Sequence, residues 1–224
     1  MNILVIAPHH DDEVIGCGGS IALHAARGDI VIIAYVTQGW SGIPSAVDRG
    51  SAVRQIRNES AEAGRILGVD RAIECGVVDR DFSVNEALIG QFVRLCRETS
   101  PAIIYLPHEH DGDHEHQLVY TMMRQAVWQA ASPYFTEYGP AVPLPDLILG
   151  YEVWRPLAAI QMSVNITAVM EHKLRALQCY GSQVSQCDWV SAVKGLAAYR
   201  GVTSGAGTYA EVFQVMRCRN VFSQ

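Results

Sequence analysis

The chain has 224 residues, a formal net charge of −6, and 49% apolar against 18% charged residues. That length fits a single domain, 1–224, with a sizeable core, and the composition is that of an ordinary globular chain. The acidic balance and the lack of any basic run exclude an electrostatic footprint for nucleic acid. Neither a secretory signal nor an eighteen-residue apolar span is visible, so a cytoplasmic protein with no transmembrane segment is the expectation.

Asn2 to Ala7 is predicted as the first strand. It is apolar after its first residue, the mark of a strand buried on both faces of a parallel sheet. Pro8 ends it, and His9, His10, Asp11, Asp12 and Glu13 follow. Five consecutive polar or ionisable residues after a buried strand are costly unless paired, solvated or metal-bound. Small residues come next (Gly16, Gly18, Gly19, Ser20), and a helix is predicted over Cys17 to Arg27, stopped by Gly28. In open α/β sheets, ligands bind at such carboxyl ends of strands. An imidazole from His9 and a carboxylate from Asp12 suit a divalent metal of zinc type. Asp11 is then a spare carboxylate able to take a proton from activated water. A solvated turn, or a carboxylate pair capping the helix, accounts for the same residues, and only context separates these readings.

Asp29 to Val36 is the second strand. It runs into Thr37, Gln38, Gly39 and a loop, Trp40 to Arg49, containing Gly42 and Pro44. That loop is long enough to be a lid bordering a pocket, or a surface connection. Helices are predicted over Ser51 to Leu67, ended by Gly68, and Asn85 to Thr99, stopped by Ser100 and Pro101, with a short strand at Ala72 to Val77 between them. Ala102 to Leu106 is the next buried strand.

A second polar cluster follows that strand, Pro107 to Gln117, with His108, His110, His114 and His116 among Glu109, Asp111, Asp113 and Glu115. The pattern of the first cluster thus recurs, and two such clusters after parallel strands can meet at one end of a sheet. A histidine-rich loop alone carries less weight, since such tracts also bind metals adventitiously. His116 opens a predicted helix, His116 to Ala131, which would fix its position. Further strands are predicted at Asp146 to Val153, Ile160 to Val164 and Thr208 to Met216. Helices are expected at Ala168 to Cys179, with Thr167 as cap, and at Trp189 to Arg200, started by Asp188. The six cysteines form no C-x-x-C pair and read as reduced thiols. Cys17 sits where a helix start can lower a thiol's pKa, but small-residue packing is the favoured reading.

Several of these stretches resemble one known family. P-H-H-D-D-E, Pro8 to Glu13, is similar to the P-H-P-D-D-E or A-H-P-D-D-E motif of LmbE-like (PIG-L) metal-dependent N-acetyl-sugar deacetylases. D-G-D-H-E-H-Q, Asp111 to Gln117, resembles their D-x-N-x-D-H-R form. V-T-Q-G (Val36 to Gly39), R-N-E and L-G-V between Arg57 and Val69, K-L-R-A-L-Q-C-Y-G-S-Q (Lys173 to Gln183) and Y-A-E-V-F-Q-V-M-R (Tyr209 to Arg217) extend the likeness along the chain.

The resemblance implies an α/β fold, a Rossmann-like, mostly parallel sheet flanked by helices, holding one catalytic zinc. It implies ligands at His9, Asp12 and His116, with Asp11 as general base; His114, only two residues from His116, is the reserve ligand. Arg57 falls on the family's substrate-contacting arginine. Three residues depart from the pattern: His10 replaces a proline, Asp113 stands where a His or Asn is common, and Gln117 replaces an arginine. The group that polarises the reaction intermediate is therefore open between His110 and His114, with a sugar hydroxyl as the alternative partner of Asp113. The implied partner is a small N-acetyl-sugar substrate, N-acetylglucosamine or a conjugate. Alternatives are a thiol-cofactor precursor, an N-acyl glycopeptide or antibiotic, or a non-catalytic metal- or sugar-binding protein. A homo-oligomer is compatible with the sequence, which does not specify the oligomeric state. No G-x-G-x-x-G follows the first strand, so a nucleotide-binding reading is disfavoured.

Overall fold

The computed structural model describes residues 1–43 and 48–219. Among the described residues, seven strands form one sheet: β1 (Asn2–Ala7), β2 (Ile30–Thr37), β3 (Arg71–Val77), β4 (Ile103–Pro107), β5 (Leu147–Tyr151), β6 (Met162–Asn165) and β7 (Ala210–Cys218), in the order β3-β2-β1-β4-β5-β7-β6. The first five are parallel neighbours, and β7 runs antiparallel to both β5 and β6. The helices are α1 (Asp12–Ala26), α2 (Arg49–Leu67), α3 (Glu86–Thr99), α4 (His114–Ala131), α5 (Met170–Cys179), the short α6 (Gly181–Val184) and α7 (Trp189–Ser204). Among the described residues, no helix is long and apolar enough to cross a membrane.

Strand alternation divides the core in two. Ile3, Val5 and Ala7 of β1, with Val31, Ile33 and Tyr35 of β2, pack with residues of α1, α2 and α5. Leu4 and Ile6, with Ile32, Ala34 and Val36, point the other way onto α3 and α4. This is the two-sided burial that continuous apolar strands require. Chain order reverses between β1 and β4, which pair directly from Ile3 with Ile103. A crevice opens at the carboxyl ends of strands where the order reverses in this way. The two polar clusters leave β1 and β4 at that point.

Helix α1 begins five residues before its predicted start. Gly16 and Gly19 serve close packing: an added Cβ would lie 2.3 Å from the Tyr151 ring at Gly16 and 2.6 Å from Ile166 at Gly19. The helix bends at Cys17, whose φ of −145° and ψ of 21° are not helical. On the two sides of this bend, backbone groups find partners outside the helix. Glu211 accepts from Gly19 N (2.7 Å) and Ser20 N (2.8 Å), while Lys173 Nζ donates to Ile15 O (2.9 Å). Lys173 and Glu211 also pair with each other at 2.6 Å, both buried. These two residues come from the late motifs around Lys173 and Tyr209. Their pair holds the amino-terminal part of α1, and Asp12 with it, in a fixed attitude.

Candidate active site

The turn between β1 and α1 is built by its own side chains. Asp12 Oδ2 accepts from His9 N (2.7 Å), closing the turn. Asp11 adopts a φ of 109°, a costly conformation for a residue with a Cβ. Its carbonyl accepts from Val14 N (3.0 Å) and Ile15 N (2.9 Å), and Glu13 Oε2 accepts from its amide (3.1 Å). Glu13 is itself buried, with its other oxygen accepting from Tyr35 (3.1 Å) and Tyr180 (2.5 Å) hydroxyls. The strain at Asp11 is thus held by a buried carboxylate that two tyrosines fix.

His9 Nδ1, Asp12 Oδ2 and His116 Nε2 converge. The separations are 3.2 Å between the two imidazole nitrogens, 3.4 Å from His9 to Asp12, and 3.1 Å from His116 to Asp12. Four-coordinate zinc with bonds of about 2.0–2.1 Å sets its ligand atoms about 3.3 Å apart. The three donors match that spacing and are of the type zinc takes, so the residues fit such an ion. Each imidazole has a carboxylate on its other nitrogen: Glu115 Oε2 is 2.6 Å from His9 Nε2, and Asp111 Oδ1 is 3.3 Å from His116 Nδ1. Carboxylates placed behind ligating histidines fix the tautomer and orient the ring.

Charge at this site is one-sided. Burial opposes protonation of His9, but Asp12 and Glu115 outweigh it and push the imidazole up to about 10. At His116, burial is likewise outweighed by Asp12 and Asp111, and the value rises to about 9. Asp12 is held well below the carboxylate range, its burial overcome by His116 and His9. Asp11 goes the other way: burial first, then the charges of Asp12 and Glu13, push its carboxyl well above the usual value. Burial also pushes the Cys17 thiol well up, which argues for packing and against an activated nucleophile.

A small cavity of about 90 Å³ opens beside these groups, lined by His9, His10, Asp11 and Asp12, by Gly39, Ser41 and Gly42, and by Arg80, Trp154 and Gln183. Ser41 and Gly42 belong to the loop, Trp40 to Arg49, expected to border a pocket, and Gly39 directly precedes it; Pro44 to Val47 of that loop lie outside the described residues. Asp79 ties this loop to the one after β3, accepting from Gly39 N (3.0 Å) and Ser41 N (2.9 Å). Arg80 was not expected. It has a φ of 62°, donates from its amide to Glu115 Oε1 (2.6 Å), and sets its guanidinium 2.8 Å from Asp113 and 3.4 Å from Glu115. His9, Asp113 and Glu115 also lie close enough to share an ion, but the Arg80 guanidinium already pairs with both of those carboxylates.

Other expected residues lie elsewhere. Asp113 caps α4 by accepting from Glu115 N (2.7 Å) and pairs with Arg80. His114 is the exposed first residue of α4. Two residues along a helix are about 200° around the axis, so the turn that aims His116 inward aims His114 out. His110 is exposed and pairs with Glu109 at 3.4 Å. Arg57 is exposed and meets Glu74 at 3.2 Å. None of His110, His114 and Arg57 lines the cavity. His10, the departure from the proline motif, stacks on Tyr35 with ring centroids 4.3 Å apart and reaches the other oxygen of Glu74 at 3.3 Å. Helical periodicity could have separated His114 from His116. No pattern within the chain linked Arg80, Glu115 or Trp154 to His9.

Comparison with known proteins agrees with this architecture. A diacetylchitobiose deacetylase of Thermococcus kodakarensis is 29% identical, over 91% of this chain and 79% of that protein. The structure of N,N'-diacetylchitobiose deacetylase from Pyrococcus horikoshii, complexed with an inhibitor, superposes with a TM-score of 0.86 at 24% identity, covering 96% of this chain and 83% of that one. A 4-carboxy-2-hydroxymuconate hydratase from Pseudomonas putida shares the fold at a TM-score of 0.84 and 19% identity, over 100% of this chain and 99% of that one, so fold alone does not fix the reaction. The profile of the GlcNAc-PI de-N-acetylase family, PIG-L, matches residues 4–127. That match takes in both polar clusters and more than half of the chain, and the chain belongs to this family.

Proposed function

We propose that this chain is a metal-dependent hydrolase that removes the acetyl group from an amino sugar of N-acetylglucosamine type. The observation that carries the reading is the zinc-compatible spacing of His9, Asp12 and His116 beside the uncommitted carboxylate of Asp11. Membership of a family named for de-N-acetylation, and the likeness to a diacetylchitobiose deacetylase, support the choice of substrate.

His9, Asp12 and His116 would hold the ion, oriented by Glu115 and Asp111. A divalent cation there supplies Lewis acidity toward an amide carbonyl and lowers the pKa of water. Asp11 lines the cavity and takes the proton from the attacking water. Once it carries that proton, Asp11 can return it to the departing amine. Products are acetate and the free amino sugar. The Arg80 guanidinium, held by Asp113 and Glu115, presents its exposed side to the substrate. A non-catalytic metal binder has no use for a strained, uncommitted carboxylate beside its ligands. The six free thiols suit a reducing compartment, in keeping with a cytoplasmic location.

The test is release of acetate and amine from N-acetylglucosamine and its β-1,4-linked disaccharide. Zinc-loaded protein should release both, and chelator should stop it. Metal-loaded protein that frees no amine from either sugar overturns the proposal.

A further inference from the structure

The cavity beside the metal ligands, about 90 Å³, is far smaller than the roughly 300–1,000 Å³ of sites that enclose a drug-sized ligand. It has room for the reacting amide but leaves the rest of a substrate at its rim. One rim residue is a large aromatic: Trp154 lines the cavity and is 54% exposed. An exposed tryptophan at a site's mouth leaves a broad apolar surface in water, which a ligand can cover.

This indole is also firmly placed. Trp154 N donates to Asp111 Oδ2 (3.1 Å), and the other oxygen of that carboxylate stands behind His116. Its ring packs edge to face with Trp189, centroids 5.2 Å apart and planes at 77°. The absence of a side chain at Gly112 matters as well, since a Cβ there would sit 3.2 Å from Trp154 Cβ. Trp154 is therefore set at a fixed distance from the metal ligands by the same carboxylate that orients one of them. Polar groups share the rim: Ser41, Gln183 and the half-exposed Arg80 guanidinium.

We infer that Trp154 is an aromatic platform for a pyranose ring, a binding subsite just outside the metal cavity. A pyranose in the chair form has an apolar C–H face and a rim of hydroxyls. The apolar face covers the indole, and the hydroxyls meet the polar groups around it. This inference rests on the proposed amino-sugar substrate and extends it, because it assigns where the ring sits while its amide reacts.

The experiment uses metal-loaded full-length protein and the β-1,4-linked disaccharide of N-acetylglucosamine. Trp154→Ala should raise KM by about tenfold, with kcat falling less than KM rises and metal content at the wild-type level. Trp154→Phe, which keeps an aromatic face, should recover most of that affinity. Trp154→Gln puts a longer polar side chain there without the aromatic face and should behave like alanine; it serves as well if the alanine variant folds poorly. Tryptophan fluorescence titrated with the deacetylated disaccharide should respond in the wild-type protein and lose that response in Trp154→Gln. Turnover with a KM indifferent to all three substitutions overturns the platform, as does a phenylalanine variant no better than glutamine. Should wild-type protein bind the disaccharide through Trp154 yet release no amine, the platform stands and the deacetylase reading falls.

Discussion

Two buried clusters of charge flank helix α1, and they are balanced in different ways. Near its bend, Glu211 has Lys173 at 2.6 Å, and close by Glu152 pairs with Arg200, all four side chains buried. Each carboxylate there has a permanent cation and at least one backbone amide donor besides: Gly19 and Ser20 for Glu211, Leu157 for Glu152. At the amino-terminal end, Asp12, Asp111 and Glu115 face His9 and His116, and Asp11 stands beside them. Among the described residues no lysine pairs with that group, and the Arg80 guanidinium pairs with Asp113 and Glu115 and not with Asp12 or Asp111. The first cluster is finished by the chain itself and fixes a backbone. The second relies on imidazoles, whose protons can be exchanged for a cation. That difference separates a structural ion pair from a site prepared for a metal.

The comparison can be broken from either side. The largest effect is expected at the ligands: His116→Ala or Asp12→Ala should lose metal content and deacetylation together, read by elemental analysis beside the amine assay. Asp11→Asn should retain the metal while turnover falls by roughly 10²–10⁴-fold, the range for loss of a general base. If that variant loses the metal instead, Asp11 is a ligand. On the finished side, Lys173→Met strands the buried Glu211, and breaking such a pair costs about 3–5 kcal/mol. Urea unfolding should show that loss, with metal content preserved at temperatures where the variant stays folded. Asp111→Asn and Glu115→Gln remove only the groups behind the histidines and should weaken metal binding about 10–100-fold.

A smaller effect concerns pH. His9 and His116 have folded values of about 10 and 9, raised above the usual 6.5 by their carboxylates despite burial. Raised values mean that the protonated pairs stabilise the metal-free protein fully below about pH 6.5, and that this contribution is lost as pH rises through 9 to 10. Metal-free protein should therefore unfold more easily at pH 10 than at pH 7 in thermal melts. Metal-loaded protein should show a flatter profile across the same interval, because the imidazoles there are already neutral.

Much of this was legible in the sequence. Continuous apolar runs placed β1, β2 and β4 within a residue or so, and the recurrence of a polar cluster after two of them pointed to one crevice. The glycines were harder. Gly16, Gly18 and Gly19 are poor helix formers, yet they lie inside α1, where the small size of Gly16 and Gly19 lets Tyr151 and Ile166 approach. Only the tertiary partners explain them, and sequence patterns do not contain those partners. The antiparallel pairing of β7 and the four-residue α6 likewise lacked a local signal. In the site, His9 and Asp12 stood out because they follow a strand that ends at the crevice, whereas His116 was picked from four histidines of the second cluster by the family resemblance. Arg80 and Trp154 come from loops after β3 and β5, and their approach depends on backbone hydrogen bonds to Glu115 and Asp111. Lys173 and Glu211 stood out within the late motifs without a role until the bend at Cys17 supplied one.

The central claim is that the histidine–carboxylate cluster exchanges protons for a divalent cation. Calorimetric titration of metal-free protein with zinc at pH 7, repeated in buffers of different ionisation enthalpy, measures that exchange directly. With His9 and His116 both protonated at this pH, about two protons should leave for each ion bound, at one ion per chain, and His116→Ala should abolish the tight phase. Zinc binding without proton release, or binding that survives loss of His116, would contradict the account.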